Sequence, residues 1–306
     1  MMKRPTMAAA FSPNVRSISL PPRSHPTTVR VEEELNKLKS WESSSSSSSK
    51  AETICVGLSL LSELYRRIED LLNLPLTQQA LSQDQHQKWV NELLEGSLRY
   101  LDACGNTRDS VLSMQETIRE LQSALRRRKV GDSSVESVVS AYICSRRKMK
   151  KETAKSLASL KPMDGKFGGS GLMLDLDDHL LAVVRVLRET SLITISIFHA
   201  LLLFLSMPVL KPKASRWSLV SKLVQKGALA RKEKQENVDE LEGVDMALGN
   251  LLMQSSSRDV EGQKIQSAQI RLDALDVSME GLVKGLECLF RRLIQTRVFL
   301  LNIMSH

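Results

Sequence analysis

The sequence predicts an all-α protein: an elongated antiparallel helical bundle with a coiled-coil-like C-terminal helix and a disordered N-terminal tail. The strongest indication is a pair of interlocked seven-residue ladders, in which eleven of the twelve rungs are apolar. One ladder comprises Ile265, Leu272, Met279, Leu286, Leu293 and Leu300, and the other Ala268, Leu275, Leu282, Leu289, Thr296 and Ile303. Apolar residues at alternating steps of three and four, sustained over this length, are typical of a helix that lies along another helix.

The composition also favours helices. Hydrophobic residues make up 42% of the chain but aromatic residues only 4%, so the core must consist mainly of aliphatic side chains. The 14 glycines and 9 prolines are few for 306 residues, as expected of an all-α protein. We predict a buried helix seam formed by Leu272, Leu275, Met279, Leu282, Leu286, Leu289, Leu293 and Leu300. The apolar stripe widens towards the C-terminus, which favours packing within one chain over a two-stranded coil.

The first elements are separated by stretches rich in Ser and Pro. Residues 1–28 form a basic tail that should be disordered, because it is rich in Pro, Ser and Arg and poor in apolar residues. A single helical-bundle domain is expected over 29–306, beginning with a short amphipathic helix that ends at a Ser-rich linker, 43–50. The next helix should start at a capping box, Ser49 to Glu52, and stop before Pro75.

Longer helices follow along the chain. A capping box from Ser82 to Gln85 opens a helical pattern that reaches Lys129, and a third box, Ser133 to Glu136, opens another. A Gly-rich loop at 161–174 and a Pro/Lys loop at 208–214 bracket a strongly apolar helix. Residues 215–256 indicate one or two weaker helices before the C-terminal ladder.

No catalytic constellation is evident, so we predict neither an enzyme nor a cofactor or metal site. The five histidines are scattered, and neither HExxH nor GxSxG occurs. The four cysteines lack CxxC spacing, which indicates reduced and mostly buried thiols. In the Gly-rich loop, Lys166 directly follows the first glycine and no Ser or Thr follows the lysine, so the loop does not match a phosphate-binding P-loop.

Residues 191–207 contain no charged side chain, which leaves two interpretations. A membrane span needs ~20 apolar residues and tolerates ~17. A helix that is apolar on all sides can equally be the central helix of a bundle. We favour the core, because the other helices carry apolar stripes that need a central partner. The alternative is a membrane-associated helical protein with a hydrophobic segment near 180–207.

The net charge of +8 is unevenly distributed. Residues 1–31 hold five basic groups and no acid. Two dense runs form a predicted basic patch: Arg126, Arg127, Arg128 and Lys129, and then Arg146, Arg147, Lys148, Lys150 and Lys151. They are candidates for a nuclear import signal, an RNA contact or an acidic lipid contact, or for solvated helix ends. Neither run contains an aromatic residue, which argues against nucleic acid as a partner.

A short motif in the tail suggests an adaptor-binding handle. The segment Arg16-Ser17-Ile18-Ser19-Leu20-Pro21 resembles the R-S-x-S-x-P ligands of 14-3-3 adaptor proteins, with Ser19 as the phosphorylated residue. A phosphate adds up to ~2 negative charges for a cluster of arginines to bind. We therefore expect protein partners, with 14-3-3 adaptors among them, through Arg16, Ser17, Ser19 and Pro21. The composition of the tail is also similar to that of a chloroplast transit peptide, and this alternative stays open.

Five segments of the chain resemble one family of plant proteins. They are Arg16 to Pro26, Val31 to Glu42, Gly57 to Leu81, Leu98 to Gln115 and Leu286 to Asn302. Together they are similar to the BYPASS-like family, and the resemblance covers nearly the whole chain. It implies a plant-specific protein associated with root and shoot development, without an established enzyme activity, and it supplies no binding residues.

The favoured interpretation is a non-enzymatic regulatory or adaptor protein of plant organ development. We expect it in the cytoplasm, since the N-terminus lacks the apolar stretch of a secretory signal. Nuclear, plastid and membrane-associated locations stay open, as does the choice between monomer and dimer. A third interpretation is an enzyme or transport factor that acts on a small signalling molecule.

Overall fold

The structure, a computed structural model, describes residues 25–45, 50–83, 86–127, 134–160, 178–207, 239–252 and 258–305. Over these ranges the chain forms eight helices and no strand, which confirms the predicted all-α class. The helices are α1 Pro26–Ser45, α2 Ala51–Leu72, α3 Pro75–Leu81, α4 Gln87–Arg127, α5 Ser134–Ser159, α6 Asp178–Leu205, α7 Glu240–Leu251 and α8 Arg258–Met304. The predicted loops at 161–174 and 208–214 lie outside the described residues.

The longest helix, α8, is the axis of the bundle, because α2, α4 and α7 all pack along it. In α4, Cys104 donates to the carbonyl oxygen of Leu286 (3.3 Å), whereas Gln122 donates to the carboxylate of Asp273 (2.9 Å). Residue numbers therefore rise along α4 as they fall along α8, so the two helices are antiparallel. At ~1.5 Å per residue these helices are roughly 60 and 70 Å long, which makes the bundle elongated.

The eight predicted seam residues are all buried, with at most 3% of any of them exposed. Helices of the same chain cover them, as the wide apolar stripe predicted. The polar rung, Thr296, is also buried. The knobs-into-holes packing of a true coiled coil stays a prediction.

Two glycines on α8 allow α2 to approach closely. A Cβ atom at Gly285 would lie 3.0 Å from Cδ1 of Leu58, and one at Gly281 would lie 3.1 Å from Sγ of Cys55. The absence of side chains at these positions, one turn apart, brings the two backbones together. In contrast to α4, α2 runs parallel to α8, since Cys55 lies beside Gly281 and Glu69 binds Arg292 further along both helices.

The first helix is longer than predicted at both ends. It begins at Pro26, inside the predicted tail of 1–28, because proline is well suited to the first helical turn. It continues to Ser45, inside the predicted linker of 43–50, and the hydroxyls of Ser43 and Ser44 donate to backbone carbonyls of the preceding turn. A serine side chain that bonds to a carbonyl of the preceding turn can therefore remain within the helix.

Two predicted helix starts were wrong. The N-cap of α2 is Lys50 and not Ser49, and its side chain makes no capping hydrogen bond. The residues after Pro75 form the short helix α3, and Ser82 is the C-cap of that helix rather than the start of the next one. The following helix, α4, begins only at Gln87.

The apolar helix α6 packs against α1, α2, α3, α4 and α5, and Leu192 and Leu203 lie on its exposed side. Its most buried apolar side chains are Val183, Val186, Ile197, Phe198, Leu201, Leu202, Phe204 and Leu205. The run 191–207 therefore supplies core side chains, as the favoured interpretation predicted. None of the described helices is long and apolar enough to cross a membrane.

Candidate functional site

The predicted functional residues fall into three groups in the structure. Outside the described residues lie Arg16, Ser17, Ser19, Pro21, Arg128 and Lys129. Two exposed arginines, Arg126 and Arg127, end α4. The remaining run, from Arg146 to Lys151, lies in the middle of α5.

The two basic runs do not form one surface. The hydroxyls of Thr117 in α4 and Ser145 in α5 are 3.3 Å apart, so these two residues lie side by side on the neighbouring helices. Residues 106–113 of α4 line one groove with residues 145–152 of α5, so the two helices are antiparallel, and Arg126 and Lys151 lie on opposite sides of the Thr117–Ser145 contact. At ~1.5 Å per residue the runs are roughly 15 to 20 Å apart along the bundle. Arg126 is also bound by Asp273 (3.4 Å), so its charge is partly neutralised.

The prediction that Arg146 belongs to a basic patch was wrong, because this side chain is fully buried. Its guanidinium donates to the carboxylate of Asp245 in α7 (3.3 Å). It also donates to the carbonyl oxygens of Leu205 (3.1 Å) and Met207 (3.3 Å) at the end of α6. The last carbonyls of a helix have no partners within the helix and carry its negative dipole end, so a buried cation is stabilised there.

Other polar groups complete this buried cluster. Tyr142, one turn before Arg146, donates to the second oxygen of Asp245 (2.8 Å). Burial, together with the charge of Asp245, raises the pKa of Tyr142, so the phenol stays protonated. Asp239 caps α7 by accepting from the backbone N–H of Glu242 (2.7 Å), and burial raises its pKa as well. The cluster binds three helices to one another and presents no activated nucleophile.

The rest of the second run forms an exposed surface, which we call the α5 basic surface: Arg147, Lys148, Lys150 and Lys151. None of these four forms an ion pair with a described residue. Elsewhere cations are commonly paired, as in the contacts of Arg119 with Asp276 and of Arg185 with Glu32. The α5 basic surface is therefore a local concentration of uncompensated positive charge.

A polar groove of about 220 Å³ lies beside the α5 basic surface, between α4 and α5. Lys148 contributes to its wall. The other lining residues are Asn106, Asp109, Ser110, Ser113, Ser145, Met149 and Glu152. The two carboxylates of the groove are paired, Asp109 with Arg108 and Glu152 with Lys155, so the hydroxyl and amide groups beside Lys148 provide donors for a polar segment of a partner.

The polar rung Thr296 faces a cavity between α2, α4, α6 and α8. Its hydroxyl is buried and has no hydrogen-bond partner within the described residues. Nearby, Tyr65 and Thr194 share a hydrogen bond (3.0 Å), and so do Tyr100 and Ser191. The cavity, about 40 Å³, exceeds the ~10–15 Å³ that one water needs but is smaller than the ~150 Å³ of a cavity that binds benzene. Its volume is therefore too small for a ligand of the size of benzene.

The four thiols are free, but they are not mostly buried as predicted. Only Cys104 is buried, and burial raises its pKa to about 12. Cys55 is half-buried, whereas Cys144 and Cys288 are exposed. Within the described ranges, no three His, Cys, Asp or Glu side chains lie close enough together to hold a metal ion.

Sequence comparison supplies the family. Residues 57–303 match the family described as Protein BPS1. No curated protein and no solved structure matches the chain. The matched range runs from the middle of α2 almost to the end of α8 and contains the seam, the buried Arg146 cluster and the α5 basic surface. The resemblance found in the sequence is thereby confirmed, and the chain belongs to the BPS1, or BYPASS-like, family.

Proposed function

We propose that this protein is a non-enzymatic helical adaptor that acts in the root and shoot development of plants. Its family membership supports the developmental role. The chemistry of the described helices supports the adaptor role, because their buried polar side chains chiefly hold helices together. Among the described residues, the α5 basic surface is the charged surface available for a partner.

The observation that carries the proposal is the contrast between paired and unpaired cations. Arg119, Arg126 and Arg185 each bind a carboxylate on another helix. The four cations of the α5 basic surface fall within five consecutive positions and bind no carboxylate of the described residues. Uncompensated charge at one place on a rigid helix attracts and orients an acidic partner, and increases the rate at which the two associate. The adjoining groove would receive the partner's polar side chains.

A pair of matched charge reversals tests this proposal. The test variant carries Arg147→Glu and Lys151→Glu, and the control carries Arg127→Glu and Arg188→Glu at exposed positions on other helices. Both variants change the net charge equally. We expect plants that lack the protein to show altered root and shoot growth, and the control variant to restore it. The test variant should fail to restore growth and should lose partners that the wild type and the control retain in affinity purification from roots.

Equal restoration of growth by both variants would contradict the role of the α5 basic surface. Normal root and shoot growth without the protein would contradict the developmental role itself. Circular dichroism of each purified variant establishes that the helices are intact, which is expected because all four positions are exposed.

The tail motif provides a second contact in this proposal. Phosphorylation of Ser19, three residues after Arg16, would create a 14-3-3 ligand. A phosphorylated peptide covering residues 12–26 should recover 14-3-3 proteins from plant extract, and the Ser19→Ala peptide should not. Equal recovery by the two peptides would exclude this contact.

Association with a membrane surface is the alternative function, because acidic lipids also attract basic helices. Since α6 supplies core side chains, this alternative assigns the membrane contact to the α5 basic surface. Cosedimentation with phosphatidylserine vesicles that is lost in the Arg147→Glu, Lys151→Glu variant would favour the alternative. Absence of cosedimentation would favour the protein partner. A metabolite retained through native purification would favour a small-molecule role instead.

A further inference from the structure

Helix α8 carries a second heptad seam on the side that faces solvent. We call it the outer seam, and its residues again alternate at steps of three and four. They are Ile270, Asp273, Val277, Glu280, Lys284, Glu287, Arg291, Ile294, Val298 and Leu301. None of these residues belongs to the buried ladders. The ends of the outer seam are aliphatic, and its centre is charged.

The aliphatic residues of the outer seam are unusually exposed. Ile270 is 63% and Val277 70% exposed, and Ile294, Val298 and Leu301 are each 42 to 43% exposed. The outward positions of a helix in a bundle are normally polar. Two short aliphatic groups on the outward side of one long helix indicate a surface that another chain covers.

We propose that two copies of the chain associate through their outer seams as an antiparallel helix pair. A twofold axis between Gly285 and Leu286 places Ile270 opposite Leu301 of the second copy, and Val277 opposite Ile294 of the second copy. The same axis places Glu280 opposite Arg291 of the second copy, and Lys284 opposite Glu287 of the second copy. Of the five distinct layers, two are apolar on both sides, two join opposite charges, and one places Asp273 opposite Val298. Twofold symmetry produces each layer twice.

Other arrangements of the same two helices are less favourable. A shift of one heptad places Val277 opposite Glu287 in one direction, and Lys284 opposite Ile294 in the other. A parallel pair places Lys284 against Lys284, and Arg291 against Arg291, of the second copy. Like charges and charge–aliphatic contacts of this kind are destabilising. The antiparallel register above has no like-charge layer, keeps both apolar layers, and has one charge–aliphatic layer, Asp273 with Val298.

Asp273 does not interfere with this register, although Val298 of the second copy lies opposite it. Its carboxylate is already bound by Gln122 (2.9 Å) and Arg126 (3.4 Å) of α4 in the same copy. The central charges are also available, because Glu280 with Lys284 and Glu287 with Arg291 form exposed pairs within α8. Exposed pairs of this type contribute little by themselves, so their rearrangement in a dimer costs little.

The expected dimer is weak and reversible. A standard stable interface uses about 20–30 residues on each side, which is more than the outer seam offers. We therefore expect a dissociation constant on the order of micromolar. The dimer is independent of the proposed adaptor function, because the outer seam and the α5 basic surface lie on different helices.

Charge reversal across the pair tests the association. Sedimentation equilibrium of the full chain over a micromolar concentration range should show a monomer–dimer equilibrium. Arg291→Glu alone and Glu280→Arg alone should each weaken it by about tenfold, because like charges then face each other in two layers. The double variant should restore wild-type association. Lys155→Glu removes a comparable exposed pair on α5 and should have no effect.

Engineered cysteines test the register. In a background with Cys144→Ser and Cys288→Ser, the combination of Val277→Cys and Ile294→Cys should crosslink two chains under mild oxidation. Neither cysteine alone should do so, because each lies far from its own equivalent in the antiparallel pair. A monomer at every concentration would overturn the proposal. So would a dimer unaffected by Arg291→Glu, a double variant as weak as the single variants, or equal crosslinking by single and paired cysteines.

Discussion

Replacement of the buried Arg146 by methionine should destabilise the protein by about 3–5 kcal/mol, the usual cost of removing one partner of a buried ion pair. Methionine occupies much of the volume of arginine but donates no hydrogen bond. Three donations are lost: one to Asp245 and two to the carbonyl oxygens that end α6. Asp245, whose side chain is 3% exposed, keeps its bond from Tyr142 but loses its cation.

The expected loss of stability in Arg146→Met can be compared with the contribution of a single hydrogen bond. One bond to a charged group contributes ~1.5–3 kcal/mol, and the contributions are not additive because the released carbonyls at the helix end can recruit water. A loss of about 4 kcal/mol is therefore reasonable. For a chain of this size, each ~1 kcal/mol lowers the thermal midpoint by ~2–4 °C. The midpoint of Arg146→Met should fall by roughly 10 °C.

Urea unfolding followed by far-UV circular dichroism measures this change, and the neighbouring residue supplies the control. Arg147 is exposed and unpaired, so Arg147→Met should change the free energy of unfolding by less than ~0.5 kcal/mol. The double variant Arg146→Met, Asp245→Leu should recover part of the loss, because it no longer buries an unpaired charge. Equal stability of the two single methionine variants would refute the buried position of Arg146.

Four further substitutions, in two matched pairs, test other parts of the bundle. Gly57→Ala should destabilise it by about 1–3 kcal/mol, because the new Cβ would lie 2.6 Å from the Trp41 ring. Gly262→Ala, with nothing within 4 Å, should stabilise it by up to ~1 kcal/mol. Burial raises the pKa of Glu69, so the folded protein binds the proton of this carboxyl more tightly than the unfolded chain does. The contribution of Glu69 to stability therefore falls as the pH rises from the pKa of the unfolded chain to the pKa of the folded protein. Glu69→Gln should therefore gain stability relative to wild type as the pH rises. By contrast, Glu63→Gln should lose stability relative to wild type as the pH rises, because the hydrogen bond from Arg66 lowers the pKa of Glu63. Parallel pH profiles in urea titrations would contradict this assignment.

The buried helix seam of α8, called the inner seam below, could be predicted because the periodicity of its apolar residues is enough to identify it. A ladder of aliphatic residues over Ile265 to Ile303 has one buried side in any helical arrangement, whichever helices cover it. The sequence did not show that α2 lies parallel to α8, since that depends on two glycines one turn apart and on the residues they meet. Gly281 and Gly285 were visible in the sequence, but their partners, Cys55 and Leu58, are more than two hundred residues away.

Arg146 was misassigned because charge density was given more weight than periodicity. Six consecutive helical residues turn through about 500°, so a run of this length cannot face solvent throughout. The buried positions of α5 follow the same steps of three and four as the ladders: Val139, Tyr142, Arg146, Met149, Thr153, Ser156 and Leu160. That pattern was present in the sequence and places Arg146 on the inward side.

The helix starts were predicted wrongly for a different reason. The residues that bind the first turn of a helix can be distant in sequence. The first backbone N–H of α2, at Ala51, donates to the Glu240 carboxylate (3.3 Å) of α7. The indole of Trp41 donates to the carbonyl oxygen of Thr53 (2.9 Å) and so fixes the end of α1 against the start of α2. Local capping signals cannot anticipate such contacts, since the two partners of the Ala51–Glu240 bond are 189 residues apart in sequence.

The two sides of α8 show how one helix can serve both folding and association. The inner seam is almost entirely aliphatic, so it stabilises the bundle but distinguishes poorly between arrangements of similar helices. The outer seam places charges between two aliphatic groups, which lowers the affinity but specifies one orientation and one register. A protein that folds as a monomer and associates reversibly requires this division, because an aliphatic outer seam would make the chain aggregate. The charged centre, Glu280 to Arg291, should therefore determine the specificity of the dimer more than its affinity.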